Sequence, residues 1–351
     1  RWVISLLLLN VAVSFVYSAL FGKVYSGSKY IVLMTNMYAT LNVANILFLF
    51  SVRNGRHFKL VLDLSLALFI LNALLLVFNY RRTGTAYFMS YFMVYISLYL
   101  PYVSKKVKLY ILLGTMMAML AFFGGGRQIA ITLVFMIGAW LGPKFASKKL
   151  VLIVSLSFLV LPVFFIWFFG NSAGSVFYDL QKTVSSHSES EEMSSNTRTF
   201  LFVECMEDFV QRDLRTQILG QGPLAHYDSP FFDNPHRFGI EVPILEWIMQ
   251  CGLLYYILFT LACALAMWYF YRYGRNYMCQ IASLLIGAFY FMCHVSNFNG
   301  ISNMNLGFWM MMSMAVNPTF LKATDRQLKV LLGGYRRRRV PVTGSNKNQD
   351  E

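Results

Sequence analysis

The sequence predicts an all-α fold: a polytopic transmembrane helical bundle of about ten spans, with one large extracytoplasmic loop containing short amphipathic helices. Three observations point there. Hydrophobic residues make up 57% of the 351 positions and charged residues only 13%, against about 25% charged in soluble domains; mean hydropathy is +0.52. Apolar runs of roughly 20 residues recur along the chain, the length a helix needs to cross a hydrocarbon core about 30 Å thick. The connecting segments alternate between cation-rich and cation-poor, as loops on opposite faces of a bilayer do. A β-barrel would show short segments of alternating polarity instead.

The apolar segments lie near 2–21, 31–50, 60–79, 85–103, 109–123, 128–142, 150–170, 244–271, 277–295 and 304–320. The fifth and sixth are short for full spans; they are tilted, or one is partly re-entrant. The chain opens on Arg1 rather than Met, so a preceding segment is expected. No small-residue cleavage site follows the first run, so no signal peptide is expected.

Charge sets the expected orientation. One set of connections holds Arg53, Arg56, Lys59, then Lys105, Lys106, Lys108, then Lys144, Lys148, Lys149, then Arg272 and Arg275. The tail adds Lys322 and the run Arg336, Arg337, Arg338, Arg339. The opposite set has only Lys23, Lys29, Arg81, Arg82 and Arg127 in its short loops. Lysine and arginine are retained in cytoplasmic loops, so the richer set and both termini are expected inside. The chain then divides into residues 1–170 (seven spans), 171–243 (the large outer loop), 244–320 (three spans) and 321–351 (a basic cytoplasmic tail). The net charge of +14 therefore reports topology and a tail facing the lipid surface, and nucleic acid is not an expected partner. The five cysteines are scattered and form no CxxC, which predicts buried apolar side chains rather than disulfides or a zinc site.

Most of the polar chemistry falls in the large loop, which carries 11 of the 16 acidic residues and three of the five histidines. Loops this long are usually functional or disordered. The stretch SSHSESEEMSS (185–195) is polar and of low complexity, and no fixed role is expected of His187. From Thr197 to Leu214, Phe202, Met206, Phe209 and Val210 recur at helical spacing, predicting an amphipathic helix. Gly220, Gly222 and Pro223 then end it.

Cations gather on the predicted outer side: Arg81 and Arg82, Arg127, Arg198, His226, His236 and Arg237. Guanidinium groups grip phosphate oxygens in bidentate geometry and stay charged. The glycines of GGGRQ (124–128) let backbone N–H groups approach an anion at the start of the sixth span, making that segment a candidate seat for a lipid phosphate or pyrophosphate. Simple snorkelling of Arg127 to the headgroups is the alternative. His236 can accept a proton from a sugar hydroxyl near neutral pH, and His226 ranks second. His294 is expected to be a buried polar contact. HSESEE matches no metal-ligand spacing, and no DxD, HExxH, Walker-type loop or GxSxG elbow appears, so neither metal nor cofactor is expected.

These stretches resemble the bacterial O-antigen polymerase and O-antigen ligase superfamily of integral membrane glycosyltransferases. GGGRQ resembles that family's Gly-Ser-Arg-Gly segment, with Gly125 and Gln128 at its Ser and last Gly, and Gly138 follows Arg127 after ten residues as in some polymerases. SSNTRTFLFVE followed by QILGQGPL resembles its Arg-bearing loop helix and Leu-Gly-x-Gly turn. NPHRFGIEVPILEWIMQCGLL resembles its His-Asn pattern leading into a span with Glu and Gly; Arg237 stands where Asn or Ser is usual, and Gly252 lies farther from the histidine than in ligases. The resemblance implies an enzyme of the bacterial cytoplasmic (inner) membrane. It would join polyprenyl-pyrophosphate-linked glycans at the outer leaflet into O-antigen, capsular or exopolysaccharide, with a chain-length regulator protein as a possible partner. His236 would be the general base. Arg127 and Arg198 would hold the pyrophosphate, assisted by Arg237, Arg81 and Arg82. Glu204, Glu207, Asp208 and Glu241 would bind sugar hydroxyls or orient the histidine, and Tyr227, Phe231, Phe232 and Trp247 would stack on sugars, with apolar anchoring at the membrane interface explaining these aromatics equally well. A ligase is the nearest alternative. A glycolipid flippase would need charges at mid-membrane, and the apolar runs hold few, Asp63 and Glu246 near their ends. A membrane acyltransferase would want a histidine deep in the bilayer, which the runs lack. If bidentate contact matters, Arg127→Lys will restore little of the polymer lost in Arg127→Ala, read as product length on gels.

Overall fold

The computed structural model describes residues 2–21, 55–78, 95–122, 137–138, 141, 145–162, 164, 197–229, 234–237, 240, 242–294 and 303–333. The described elements in chain order are α1 (Trp2–Phe21), α2 (Gly55–Phe78), α3 (Lys105–Phe122), α4 (Thr197–Val210), α5 (Leu214–Leu219), β1 (Tyr227–Ser229), β2 (Asn234–Arg237), α6 (Pro243–Tyr273), α7 (Tyr277–Met292), α8 (Asn303–Val316), α9 (Pro318–Lys322) and α10 (Asp325–Gly333). A further helical run covers 148–162.

Three described helices, α1, α2 and α6, are long and apolar enough to cross a membrane, and α7 and the 307–316 part of α8 are apolar but shorter. Such helices suggest a membrane protein. Their outward faces are apolar: Leu6, Leu9, Val16 and Leu20 on α1 and Leu60, Leu64, Leu71 and Leu75 on α2 are exposed. Water would not tolerate such stripes, whereas lipid does. The predicted segments 31–50, most of 85–103 and most of 128–142 lie outside the described residues.

The all-α expectation needs one correction. β1 and β2 form an antiparallel pair, Tyr227 opposite Arg237 and Ser229 opposite Asn234. The strand sequences YDS and NPHR are short and show no alternation to read, and Ser229 is tied to Glu204 of α4. The predicted 197–214 helix likewise ends at Val210; Asp213 caps a separate short helix, α5, through the Thr216 N–H.

α6 is the central element. α1, α7, α8 and α5 all pack on it. Its inward face joins an aromatic core in which Trp247, Tyr255, Phe259, Tyr290 and Phe308 meet stacked or edge-on. Small residues bring the 148–162 run close to α7: a Cβ on Gly287 would sit 2.7 Å from the Ser155 carbonyl, and Ser283 Oγ donates to Ser155 Oγ at 3.0 Å.

α6 is also broken. Gly252 has φ 78, ψ 178, and divides it into an upper piece and a longer lower piece. The break is filled by backbone of the 219–223 turn. Gln221 N–H donates to the Met249 carbonyl at 2.9 Å and Gly222 N–H to the Gln250 carbonyl at 2.7 Å. Gly220 and Gly222, both at positive φ, allow this approach. A Cβ on Gly220 would strike Gln250 and Cys251 backbone, and one on Gly252 would strike Ile218 and Leu219 backbone. On the far side, Ser14 Oγ of α1 donates to the Leu219 carbonyl, and Leu224 N–H donates to Ser18 Oγ at 3.2 Å.

The bundle has two chemically distinct ends. One carries 197–237, with the C-terminal part of α1 and the start of α6. The other gathers Phe58, Asp63, Tyr99, Tyr102, Lys148, Asn276 and α9–α10. There Asn276 Nδ2 donates to the Phe320 and Ala323 carbonyls at 2.8 and 2.9 Å, Lys148 Nζ to the Gly274 carbonyl at 2.7 Å, and the Tyr102 hydroxyl to Asp325 at 2.6 Å.

Gly252→Ala or Gly220→Ala should destabilise the protein by more than about 2 kcal/mol, since each forces an L-residue to positive φ and adds a backbone clash. Gly138→Ala, where a Cβ would meet nothing within 4 Å, should leave the thermal midpoint in detergent unchanged.

Candidate functional site

The site is assembled above the break in α6. α4 supplies its foundation. Cys205 and Phe209 are buried against the hairpin, while Glu204 and Asp208 point polar groups along one edge. Glu204 Oε2 accepts from Ser229 Oγ at 2.6 Å and so ties the end of β1 to the helix. Asp208 pairs with Arg212 one turn on. The same guanidinium donates to the His226 carbonyl at 2.6 Å. Gln221, in the glycine turn, receives the His226 N–H on Oε1 at 3.2 Å and donates from Nε2 to the His226 carbonyl at 3.3 Å. The His226 backbone is thus held by an arginine from one side and an amide from the other.

His226 Nδ1 lies 3.3 Å from the Leu224 carbonyl. A carbonyl only accepts, so Nδ1 carries the hydrogen in the neutral ring and Nε2 is an acceptor. The hairpin brings the His236 ring edge-on to His226, centroids 5.3 Å apart. The Arg237 guanidinium stands 6.0 Å from the centre of the buried Tyr227 ring. Burial pulls the His226 pKa below 6.5, and Arg212 and the neighbouring His236 add to this; the Leu224 carbonyl and Asp208 oppose it. Burial likewise raises the Tyr227 and Cys205 values above their ordinary range, keeping both neutral.

Beneath the histidines is a small, partly enclosed cavity lined by His226, Tyr227, Glu246, Met249 and Gln250, with Ala225 and Ile240. Glu246 accepts from Gln250 Nε2 at 3.1 Å within the upper piece of α6.

Of the expected site residues, the structure brings His226, His236, Arg237 and Glu204 together. Arg198 lies in the first turn of α4, with only its backbone described. Arg127, Arg81, Arg82 and Glu241 lie outside the described residues, as do Phe231 and Phe232. Two stacking candidates are corrected: Tyr227 and Trp247 are 1% and 4% exposed and belong to the core. Asp208 is engaged by Arg212 rather than open to a sugar. His294 is buried, with Nδ1 2.9 Å from the Tyr290 carbonyl. Sequence reasoning passed over Arg212, Gln221 and Gln250. Only the Asp208–Arg212 spacing carried a local signal. No site for a metal forms among the described residues from three or more His, Cys, Asp or Glu side chains.

Comparison with known protein families, curated proteins and solved structures finds no match for this chain.

The His226 shift has a thermal consequence. The unfolded ring protonates near its ordinary 6.5, while the folded one resists the proton to lower pH. The stability this contributes is full above that value and is lost as pH falls through it toward the folded pKa. The thermal midpoint should therefore drop between about pH 7 and about pH 5, and His226→Gln should flatten that dependence.

Proposed function

We propose that this chain is a membrane glycosyltransferase acting on polyprenyl-pyrophosphate-linked oligosaccharide repeat units. In this reading it polymerises them into O-antigen, capsular or exopolysaccharide on the outer face of the bacterial cytoplasmic membrane. The observation that carries the reading is the paired imidazoles of His226 and His236, set between Arg212 and Arg237 at one end of an apolar bundle. That end lies opposite the one holding Lys148 and α9–α10, which the charge rule assigns to the cytoplasm. The remaining expected spans complete a ten-span bundle around it, with both termini inside.

In this mechanism a hydroxyl of the acceptor glycan gives its proton to His236 as its oxygen attacks the donor's anomeric carbon. The bond from that carbon to pyrophosphate breaks, and its electron pair leaves with the pyrophosphate. The new bond forms on the opposite face, inverting the centre. Arg127 and Arg198 take the growing negative charge in this reading, assisted by Arg237 or by the pair Arg81 and Arg82, a role metals often fill. Arg212 acts through His226, because its guanidinium is committed to Asp208 and the His226 carbonyl; it is a positioning residue. A ligase would use the same chemistry with a different acceptor, and a chain-length regulator would act on product release.

One observation favours a second reading. Transporters bind substrates where spanning helices are discontinuous, and α6 is broken at Gly252. A single experiment separates these functions. Purified protein in proteoliposomes receives one synthetic polyprenyl-pyrophosphate repeat unit. A ladder of products that disappears in His236→Ala is the expected result. Single transfer to another lipid indicates a ligase; movement of unchanged substrate between leaflets indicates a transporter, and an inert protein sinks the enzymatic reading.

A further inference from the structure

The cavity under the histidines presents an unusual set of groups. Gln250 is 3% exposed. Its Nε2 is used on Glu246, and among the described residues nothing donates to its buried Oε1. A buried carbonyl in that condition is costly unless a ligand or solvent supplies the missing donor. The other polar liners are the Tyr227 hydroxyl, the Glu246 carboxylate and His226; the carboxylate only accepts, and the Leu224 carbonyl directs the imidazole hydrogen to Nδ1 and makes Nε2 an acceptor. The space is small and partly enclosed, enough for one small group of a larger molecule. Its position is fixed by the break: Gly222 N–H holds the Gln250 carbonyl at 2.7 Å, and Gly252 ends the helix just beyond.

We propose that this cavity is a subsite for a neutral hydrogen-bond donor, a carbohydrate hydroxyl, whose hydrogen is received by Gln250 Oε1. A cavity edged by the Glu246 carboxylate repels phosphate oxygens, so the pyrophosphate belongs above it, toward Arg237. The site thus sorts the two halves of a glycosyl pyrophosphate by hydrogen-bond polarity. The proposal rests on the glycosyltransferase reading and sharpens it, naming the part of the substrate that each region takes. It also gives Gln250 a role in holding sugar.

The test uses the full chain in lipid nanodiscs. Glucose, galactose, mannose and N-acetylglucosamine serve as probes in saturation-transfer difference NMR. Inorganic pyrophosphate, followed by its phosphorus linewidth, is measured on the same samples. At least one sugar should show saturation transfer, and Gln250→Met should cut that signal by about five-fold or more while pyrophosphate broadening stays the same. Gln250→Asn withdraws the carbonyl by one methylene and is read the same way if the methionine variant unfolds. A sugar signal indifferent to both variants means that a trapped water fills the cavity, and overturns the proposal. Pyrophosphate broadening that falls in Gln250→Met puts the anion in the cavity and overturns it equally. Wild-type protein that broadens pyrophosphate but never contacts sugar sinks the subsite while leaving the glycosyltransferase reading intact; failure to bind either probe removes both.

Discussion

The structure turns on one backbone-to-backbone contact. Gly220 and Gly252 each stand at positive φ, and each occupies the space where the other segment's side chains would begin. A spanning helix that breaks exposes carbonyls that nothing in hydrocarbon can satisfy, so such breaks survive only where protein covers them. Here the cover is the 219–223 turn, whose N–H groups reach the Met249 and Gln250 carbonyls. Because the same turn leads directly into Gln221 and His226, the repair of the helix and the placement of the imidazole are one event. Ser14 and Ser18 of α1 close the turn from behind, so a third element depends on it.

Burial and polarity divide the labour around this contact. Below it the rings of Trp247, Phe259, Tyr290 and Phe308 are buried and in mutual contact. Above it the hairpin is too small to build a core of its own. It is held instead by a few directed ties: Ser229 to Glu204, His226 to Gln221 and Arg212. Such ties fix positions without filling volume.

Much of the helical plan was legible from hydropathy alone. The first run reads 2–21 and α1 is Trp2–Phe21; the eighth reads 244–271 and α6 is Pro243–Tyr273. A long apolar run has one viable backbone in lipid, so composition suffices there. The break at Gly252 was not legible, because QCGLL continues the apolar pattern and the positive φ is imposed by a turn far away in sequence. The hairpin failed for a related reason: NPHR has no alternation to read, and its pairing with Tyr227–Ser229 depends on ties to α4. The site was half visible. His226, His236, Arg237 and Glu204 stood out by residue type. Arg212 and Gln250 did not, since an arginine one turn from an aspartate and a glutamine in an apolar helix look ordinary until their partners are placed.

The fate of the cysteines has a practical side. All five, Cys205 included, are buried with free thiols. Burial of Cys205, beside Glu204 and Asp208, holds its sulfur in the unreactive protonated form. The native chain is consequently a nearly silent background for maleimide chemistry. Single cysteines introduced into its loops would report which reagents reach them from each face of a sealed vesicle, without first stripping the protein of its own sulfur.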